Sequence, residues 1–226
     1  MMKAGRLTAA IGASRSGKSA FVMHEIKSQQ RVMVWDVKGE YDGFLQCRSK
    51  AELIKAIKRS GKKARIAFVP PNLSDFDFFC RCAQAWVKQN FSRSLNCALV
   101  FEETADVTSP AKAPQSYGIL LRRFLSYGVD IFAITQRPAE SDKTAVGNAS
   151  IVLVCRLQLA RDKKSASGDT GIPYSVIAGL KADQDKGQFD FVHADTGAGH
   201  YRLGRLSFST TGKPVFKNFG RVESFE

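Results

Sequence analysis

The sequence predicts an α/β fold in which helices flank a mostly parallel central sheet. Short apolar runs with the length of buried strands alternate with longer runs whose apolar residues recur at helical spacing. This alternation is typical of parallel sheets, because a helix normally connects one parallel strand to the next. Near the end of the chain the pattern changes. Apolar and polar residues alternate on both sides of DTGAG in residues 188–208, which predicts a β-hairpin.

Each element follows from its local pattern. Strands are expected where apolar runs are bounded by turns, at residues 6–11, 31–38, 64–69, 95–101, 129–135 and 151–157. Helices are expected where the apolar spacing is helical, at residues 19–29, 49–61, 75–89, 117–128, 141–149 and 174–180. We assign residues 1–208 to one domain. The basic residues 209–226 are interrupted by Gly and Pro, and we expect them to form a tail outside the core.

The composition describes a basic globular protein. The chain has 226 residues, a net charge of +13 and a hydrophobic fraction of 44%. A membrane span needs an apolar run of roughly 18 residues, which the sequence lacks. The first residues lead directly into a strand without a signal-peptide pattern, so we expect a soluble, intracellular protein. The basic excess favours a polyanionic partner, with nucleic acid preferred over an anionic membrane surface.

Cysteine and histidine do not indicate a metal site built from protein ligands alone. The five cysteines are odd in number and form no C-x-x-C pair, so we expect free, mostly buried thiols. The three histidines are scattered singly along the chain.

The segment GASRSGKS, residues 12–19, fits the phosphate-binding pattern G-x-x-x-x-G-K-[ST] between an expected strand and an expected helix. Its glycines let the backbone turn its N–H groups toward phosphates, Lys18 reaches the outer phosphates, and Ser19 offers a hydroxyl to Mg²⁺. The helix that follows directs its positive end at the same anion. We expect nucleotide contacts from Gly12, Ala13, Ser14, Arg15, Ser16, Gly17, Lys18, Ser19 and Ala20. The specific purpose of Arg15 remains open.

Two further polar groups follow apolar strands. Glu102 and Glu103 end the run LNCALVF, where ligands gather in a parallel sheet. The first acid is expected to hold the metal and the second to polarise the attacking water; a solvated corner is the alternative. Gln136, in TQRP after the next apolar run, is expected to hydrogen-bond the γ-phosphate or its water. An ordinary turn is the alternative there.

Together the motifs resemble one family. The segments GASRSGKS, VWDVKGEY, LVFEE and VDIFAITQRP follow in the order seen in the FtsK and HerA superfamily of DNA-pumping ATPases, and the resemblance covers residues 6–157. The compact length and the lack of a membrane anchor look most like the genome-packaging ATPases of tailless, internal-membrane double-stranded DNA viruses. The resemblance implies a RecA-like P-loop NTPase fold with ATP and Mg²⁺ as cofactors. It also implies Lys18 and Ser19 at phosphate and Mg²⁺, Glu102 at the metal, Glu103 as catalytic base and Gln136 as sensor.

The chain departs from that family in two places. The first acid is Glu rather than the commoner Asp, a longer side chain that must retract to keep the metal geometry. Relatives also often have an arginine just before the glycine that precedes the strand leading to the sensor residue, here residues 129–135, where this chain has LSYG. An arginine supplied in trans by a neighbouring subunit would neutralise charge on the transferring phosphoryl group.

Several arginines are candidates for this trans-acting role. Arg122 and Arg123 lie on opposite flanks of the polar side of the helix expected at residues 117–128. The sequence does not choose between them, Arg156 and Arg161 remain alternatives, and each has an ordinary interpretation as a solvated side chain.

Work on DNA requires an assembly, because a motor holds its track through successive subunits. We therefore expect a homo-oligomeric ring that binds double-stranded DNA without reading sequence. Candidates for backbone contact are Lys112 and the cluster Arg161, Lys163 and Lys164; a solvated basic face is the simpler interpretation of each lysine. Viral capsid-vertex or inner-membrane proteins are possible docking partners, and the expected location is the host cytoplasm, the packaging vertex of the virion, or both.

Our leading hypothesis from the sequence is a Mg²⁺-dependent ATPase that moves double-stranded DNA into a preformed capsid. A second hypothesis is a phage-assembly or bacterial DNA-processing ATPase. A third is a nucleotide-gated DNA-binding scaffold with little hydrolysis.

Overall fold

The computed structural model describes residues 4–89 and 96–225. Its strands form one sheet of 11 strands. They are β1 (Leu7–Ile11), β2 (Arg31–Trp35), β3 (Leu45–Cys47), β4 (Ala64–Phe68), β5 (Cys97–Phe101), β6 (Val129–Thr135), β7 (Ile151–Cys155), β8 (Ala182–Asp183), β9 (Gln188–Asp195), β10 (His200–Phe208) and β11 (Pro214–Ser224). The helices are α1 (Lys18–Glu25), α2 (Lys50–Arg59), α3 (Phe76–Gln89), α4 (Gln115–Arg123), α5 (Thr144–Gly147), α6 (Ala160–Thr170) and α7 (Tyr174–Gly179).

The sheet has a parallel part and an antiparallel part. Its order is β11-β10-β9-β7-β1-β6-β5-β2-β4-β3, with β8 paired to β9. Strands β1 to β7 pair in parallel with one another. Strands β8 to β11 join through antiparallel pairs, the first of them between β7 and β9. The predicted α/β fold with a mostly parallel sheet flanked by helices is confirmed.

Helices cover both faces of the parallel part. One face packs against α2, α3, α4, α6 and α7 in a core that includes the rings of Trp35, Phe79 and Tyr117. The other face packs against α1 through Phe21 and Val22. Strands β1, β2, β5 and β7 are buried at every residue, which explains why they are mostly apolar rather than alternating; Thr8 and Arg31 are their buried polar exceptions.

The strand order determines where the polar residues meet. β2, β5, β6, β1 and β7 are successive neighbours, and all run in the same direction. The residues that follow them are Asp36, Glu102, Gln136, Gly12 and Arg156. These residues therefore lie side by side along one edge of the sheet, where parallel sheets bind their ligands.

The end of the chain differs from the expected tail. Residues 214–224 form the edge strand β11, which pairs with β10 along its length, and Phe216 packs against the apolar cluster beneath α1. Most of β11 is nevertheless exposed. Its apolar residues are too widely spaced to predict a strand, and the hydrogen bonds of β10 complete it. Glu226 lies outside the described residues.

Several other elements differ from those that the sequence predicts. Helix α6 was not predicted, because only Asp162 and Ala166 in it are buried and it has no apolar periodicity. The short strand β3 was also missed. The helix expected at residues 117–128 begins at Gln115 and changes to a 3-10 turn after Arg123. Leu95, the predicted start of β5, lies outside the described residues. The predicted hairpin of residues 188–208 is confirmed as β9 and β10.

Candidate active site

The loop between β1 and α1 is fixed by the strands on either side of it. The backbone N–H of Gly12 donates to the carbonyl oxygen of Thr135 at 3.1 Å, and that of Ala13 donates to the carbonyl oxygen of Arg156 at 2.8 Å. A Cβ atom at Gly12 would lie 2.7 Å from Cβ of Cys155, so only glycine fits this close approach. The loop therefore begins at a position determined by β6 and β7.

The second half of the loop needs an unusual backbone. Gly17 has a φ of 97°, and Arg15 has a φ of 54°. Gly17 precedes the first turn of α1, which has no side-chain cap, so its terminal N–H groups are available to an anion. The side chain of Arg15 is exposed.

Lys18 is held inside its own loop. Its Nζ donates to the carbonyl oxygens of Gly12 at 2.6 Å and Ala13 at 2.7 Å, and the residue is 6% exposed. Burial lowers the pKa of Lys18, while the charges of Glu103 and Glu102 favour its protonated form. A buried ammonium group whose partners are carbonyl dipoles is well suited to exchange them for phosphate oxygens.

Glu102 stands at the end of β5 and is half-buried. Its Oε1 accepts a 2.6 Å hydrogen bond from the hydroxyl of Tyr41. Burial raises the pKa of Glu102 to about 7, although the hydrogen bond from Tyr41 and the charge of Lys18 act in the opposite direction. A cation beside this carboxyl group would favour its ionised form.

Glu103 is turned away from Glu102 by its backbone. It has a φ of 46°, in the left-handed region, and its Oε1 accepts the backbone N–H of Gln136 at 2.9 Å. Burial raises the pKa of Glu103 as well, and the bond from Gln136 opposes that rise. The structure thus joins the second acid of β5 to the residue that follows β6.

A cavity of about 390 Å³ lies at this edge of the sheet. Its walls are residues 14–20 of the loop together with Lys38, Glu40, Glu102 and Gln136. The predicted residues Gly12, Ala13 and Glu103 form its supporting layer instead. Lys38 and Glu40 were not predicted to line the site; their position after an apolar strand that ends at this edge was the available signal.

The donor set of the cavity fits Mg²⁺. Ser19 and Glu102 line the same cavity, and their hydroxyl and carboxylate groups are hard oxygen ligands. Magnesium commonly binds through one or two such groups and completes its shell with phosphate oxygens and water.

The candidate arginines lie in different places. Arg122 and Arg123 end α4, before the amino end of β6, whereas Gln136 follows the other end of that strand. A strand of this length, 7 residues, spans roughly 23 Å. Both side chains are exposed, and a guanidinium nitrogen of Arg122 lies 2.8 Å from where a Cβ of Gly118 would be. Neither arginine is placed to serve the cavity of its own chain.

The other two candidate arginines differ in their contacts within the chain. Arg161 forms a salt bridge with Glu140, which also pairs with Arg137 at 3.1 Å. Arg156 is half-buried beside the loop, and its Nε has no hydrogen-bond partner among the described residues.

The candidate DNA contacts lie on two segments. Lys112 is exposed in the loop before α4, where Ser109 and Lys112 form an isolated pair of backbone hydrogen bonds. Lys164 is exposed on α6, and Lys163 is half-buried there. Within the described residues, no helix has the length and apolar character that crossing a membrane requires.

No protein-family model matches the chain. Protein P9 of Pseudoalteromonas phage PM2 is 36% identical over 139 residues, which cover 60% of this chain and 62% of P9. The aligned region thus spans less than two thirds of that phage protein.

Solved structures of viral packaging proteins share the fold. The genome packaging NTPase B204 from Sulfolobus turreted icosahedral virus 2, in complex with ATP-gammaS, has a TM-score of 0.70 at 14% identity and covers 88% of this chain and 96% of its own. The DNA-packaging ATPase B204 from Sulfolobus turreted icosahedral virus has a TM-score of 0.65 at 16% identity and covers 89% and 98%. The resemblance that the motifs predicted is confirmed: the chain has the fold of viral genome-packaging NTPases and is similar in sequence to a phage protein.

Proposed function

We propose that this chain is a Mg²⁺-dependent ATPase of the genome-packaging type and that it moves double-stranded DNA into a viral capsid. One observation carries the proposal. Lys18, Ser19, Glu102 and Gln136, which come from three separate strand ends, line one cavity, and Glu103 is hydrogen-bonded to the last of them. The fold and the phage relative support the viral assignment.

The residues divide the chemistry between them. Phosphate oxygens take the place of the loop carbonyls as partners of Lys18, and the N–H groups at the start of α1 bind the same anion. Ser19 and Glu102 would hold Mg²⁺, which neutralises charge on the phosphates. Glu103 accepts the proton of the attacking water, and Gln136 orients that water or the γ-phosphate.

Hydrolysis in this scheme depends on a second subunit. Arg122 and Arg123 lie far from the cavity of their own chain, which is compatible with action on a neighbour's nucleotide in a ring. Arg161 is the weaker candidate, because Glu140 already binds it.

The DNA track would pass the carboxyl edge of the sheet. Lys112 and Lys164 are exposed on segments that follow β5 and β7 in the chain, and they would contact phosphates without reading bases. A capsid-vertex or inner-membrane protein is the proposed docking partner, at the packaging vertex or in the host cytoplasm.

The ATPase rate with and without double-stranded DNA of mixed sequence tests this proposal. We expect DNA to raise the rate several-fold, and we expect the stimulation to weaken as salt increases. Lys163→Ala with Lys164→Ala should reduce stimulation. Lys55→Ala with Lys58→Ala, the same charge change on α2, should not.

The alternatives predict other results. A rate that stays low and flat with DNA favours the nucleotide-gated scaffold. A substantial rate that DNA does not change favours an assembly ATPase with another task.

A further inference from the structure

Tyr41 reaches Glu102 from a different strand. It lies in the loop after β2, while Glu102 directly follows β5, and the hydrogen bond between them measures 2.6 Å. The tyrosine is 2% exposed, and its ring packs edge-on against Phe44 with centroids 5.4 Å apart. The hydroxyl is therefore delivered to the carboxylate by a packed side chain with little freedom to move.

The loop that carries Tyr41 is itself held in place. Asp36, at the end of β2, is 1% exposed. Its carboxylate accepts the backbone N–H groups of Gly39 at 2.9 Å, Glu40 at 3.1 Å and Tyr41 at 3.2 Å. Gly39 has a φ of 70°, which this turn requires and which glycine adopts without strain. Since these bonds need no ligand, the position of Tyr41 is set before any nucleotide binds.

The two acids of β5 are thus oriented by two neighbouring elements. Glu103 is bound from the β6 side by the N–H of Gln136 at 2.9 Å, and Glu102 is bound from the β2 side by Tyr41. Without such contacts, adjacent carboxylates would repel and each would sample several rotamers. These two hydrogen bonds hold Glu102 in the wall of the cavity and Glu103 behind that wall.

The contact with Tyr41 also compensates for the greater length of Glu102, which stands where relatives more commonly have aspartate. A glutamate has one more rotatable bond than an aspartate, so it loses more side-chain entropy when it is fixed beside a cation. A hydrogen bond to one carboxylate oxygen restricts that freedom in advance. It also leaves acceptor capacity on the carboxylate, because the group has two oxygens with about four lone-pair sites.

We propose that Tyr41 is a positioning residue for Glu102, and that its hydroxyl holds the carboxylate in the orientation that receives hydrated Mg²⁺ beside Ser19. This inference rests on the proposed ATPase function. It extends that function by assigning the VWDVKGEY segment to the metal side of the site.

The direct test is Tyr41→Phe, which removes the hydroxyl and keeps the ring. The affinity of the full chain for a fluorescent ATP analogue would be measured in EDTA and in Mg²⁺, and the ratio of the two is the gain due to the ion. We expect the variant to lose about tenfold of this gain, in the range for a hydrogen bond to a charged group. The affinity in EDTA should stay within about twofold, because the loop and Lys18 are unchanged.

Tyr117→Phe is the matched control. Tyr117 is 1% exposed, and its hydroxyl has no hydrogen-bond partner within residues 4–89 and 96–225. Removing that hydroxyl takes away no positioning contact, so the gain due to Mg²⁺ should equal that of the wild type. Thermal unfolding of both variants, followed by circular dichroism, checks that each is folded.

A double-mutant cycle separates positioning from a general effect on the loop. If Tyr41 acts through Glu102, Tyr41→Phe should cause little further loss of the Mg²⁺ gain in a Glu102→Gln background. Equal losses in both backgrounds would overturn the inference.

Two other outcomes also have definite meanings. Suppose that the wild type hydrolyses ATP and that Tyr41→Phe has an unchanged or increased Mg²⁺ gain. That result overturns the positioning role of Tyr41 and leaves the ATPase proposal intact. A wild type that neither binds nor hydrolyses ATP overturns the ATPase proposal together with this inference.

Discussion

The parallel part of the sheet, β1 to β7, and the antiparallel part, β8 to β11, use the same kind of element for different purposes. Strand β5 is buried at every residue, and the residues after it carry the acids of the site. Strand β10 mixes buried, half-buried and exposed residues, and β11 is mostly exposed. The candidate site thus lies at the carboxyl ends of buried parallel strands, while the antiparallel part supplies support.

That support reaches the phosphate loop directly. A Cβ atom at Gly17 would lie 3.0 Å from Cδ2 of Leu206 in β10 and 3.3 Å from Cβ of Phe189 in β9. The ring of Phe216 in β11 packs against Phe21 and His24 of α1, with centroids 5.8 Å and 4.9 Å away. The antiparallel part therefore braces the loop and its helix from behind.

The largest contrast between the two parts should appear in stability. Leu99 in β5 is fully buried, so Leu99→Ala should lower the free energy of unfolding by about 3–5 kcal/mol. Leu203 in β10 is only partly buried, so Leu203→Ala should cost about half as much or less. Urea unfolding of the two variants measures both losses. Equal losses would show that the antiparallel part is as tightly packed as the parallel part.

Lys18→Ala tests whether the parallel part binds the nucleotide. Loss of charge-assisted hydrogen bonds should weaken binding by about 1.5–3 kcal/mol, roughly tenfold to more than a hundredfold in Kd. Isothermal titration with ATP measures the change. Lys27→Ala, an exposed lysine just beyond α1, is the control and should bind normally. Normal affinity in Lys18→Ala would remove the phosphate-loop assignment.

Gly17→Ala tests the contact between the two parts. An alanine there must adopt a φ near 97° and press its Cβ against Leu206, which should cost about 1–3 kcal/mol of stability and weaken nucleotide binding. Gly212→Ala, at a φ of 72° in the turn after β10, has no described atom within 4 Å and controls for backbone strain alone. If both variants bind ATP as tightly as the wild type, the contact of Gly17 with the antiparallel part has no role in nucleotide binding.

The smallest effect is expected at the sheet edge. Val222 in β11 is 50% exposed, so Val222→Ala should change the free energy of unfolding by less than about 0.5 kcal/mol. Thermal unfolding would detect a larger loss, which would mean that the edge is covered in solution.

The sequence predicted the parts of the site that depend on local order along the chain. The loop of residues 12–19 is a contiguous pattern, and Glu102, Glu103 and Gln136 each follow an apolar strand directly. In a parallel sheet, those two facts are enough to predict that these residues meet at one edge. The relative orientation of the two acids was beyond prediction, because it depends on the left-handed backbone of Glu103 and on a hydrogen bond from another loop.

The residues that were missed depend on contacts between distant segments. Tyr41 belongs to the segment VWDVKGEY, but the sequence predicts no role for it, since its partner Glu102 is 61 positions away. The sequence predicts a tail at strand β11, because pairing with β10, rather than an apolar pattern of its own, makes this segment a strand. Helix α6 was missed because its polar composition carries no periodic signal.

The central claim is that Glu103 is the base of an ATP-hydrolysing site, and Glu103→Gln tests it most directly. Glutamine keeps an oxygen that can accept the N–H of Gln136, so the local structure should survive while the proton acceptor is lost. ATP binding and single-turnover hydrolysis would be measured on the same preparation. We predict affinity within about threefold of wild type and hydrolysis reduced by about 10²–10⁴-fold. Undiminished hydrolysis in a variant that binds ATP normally would contradict the account.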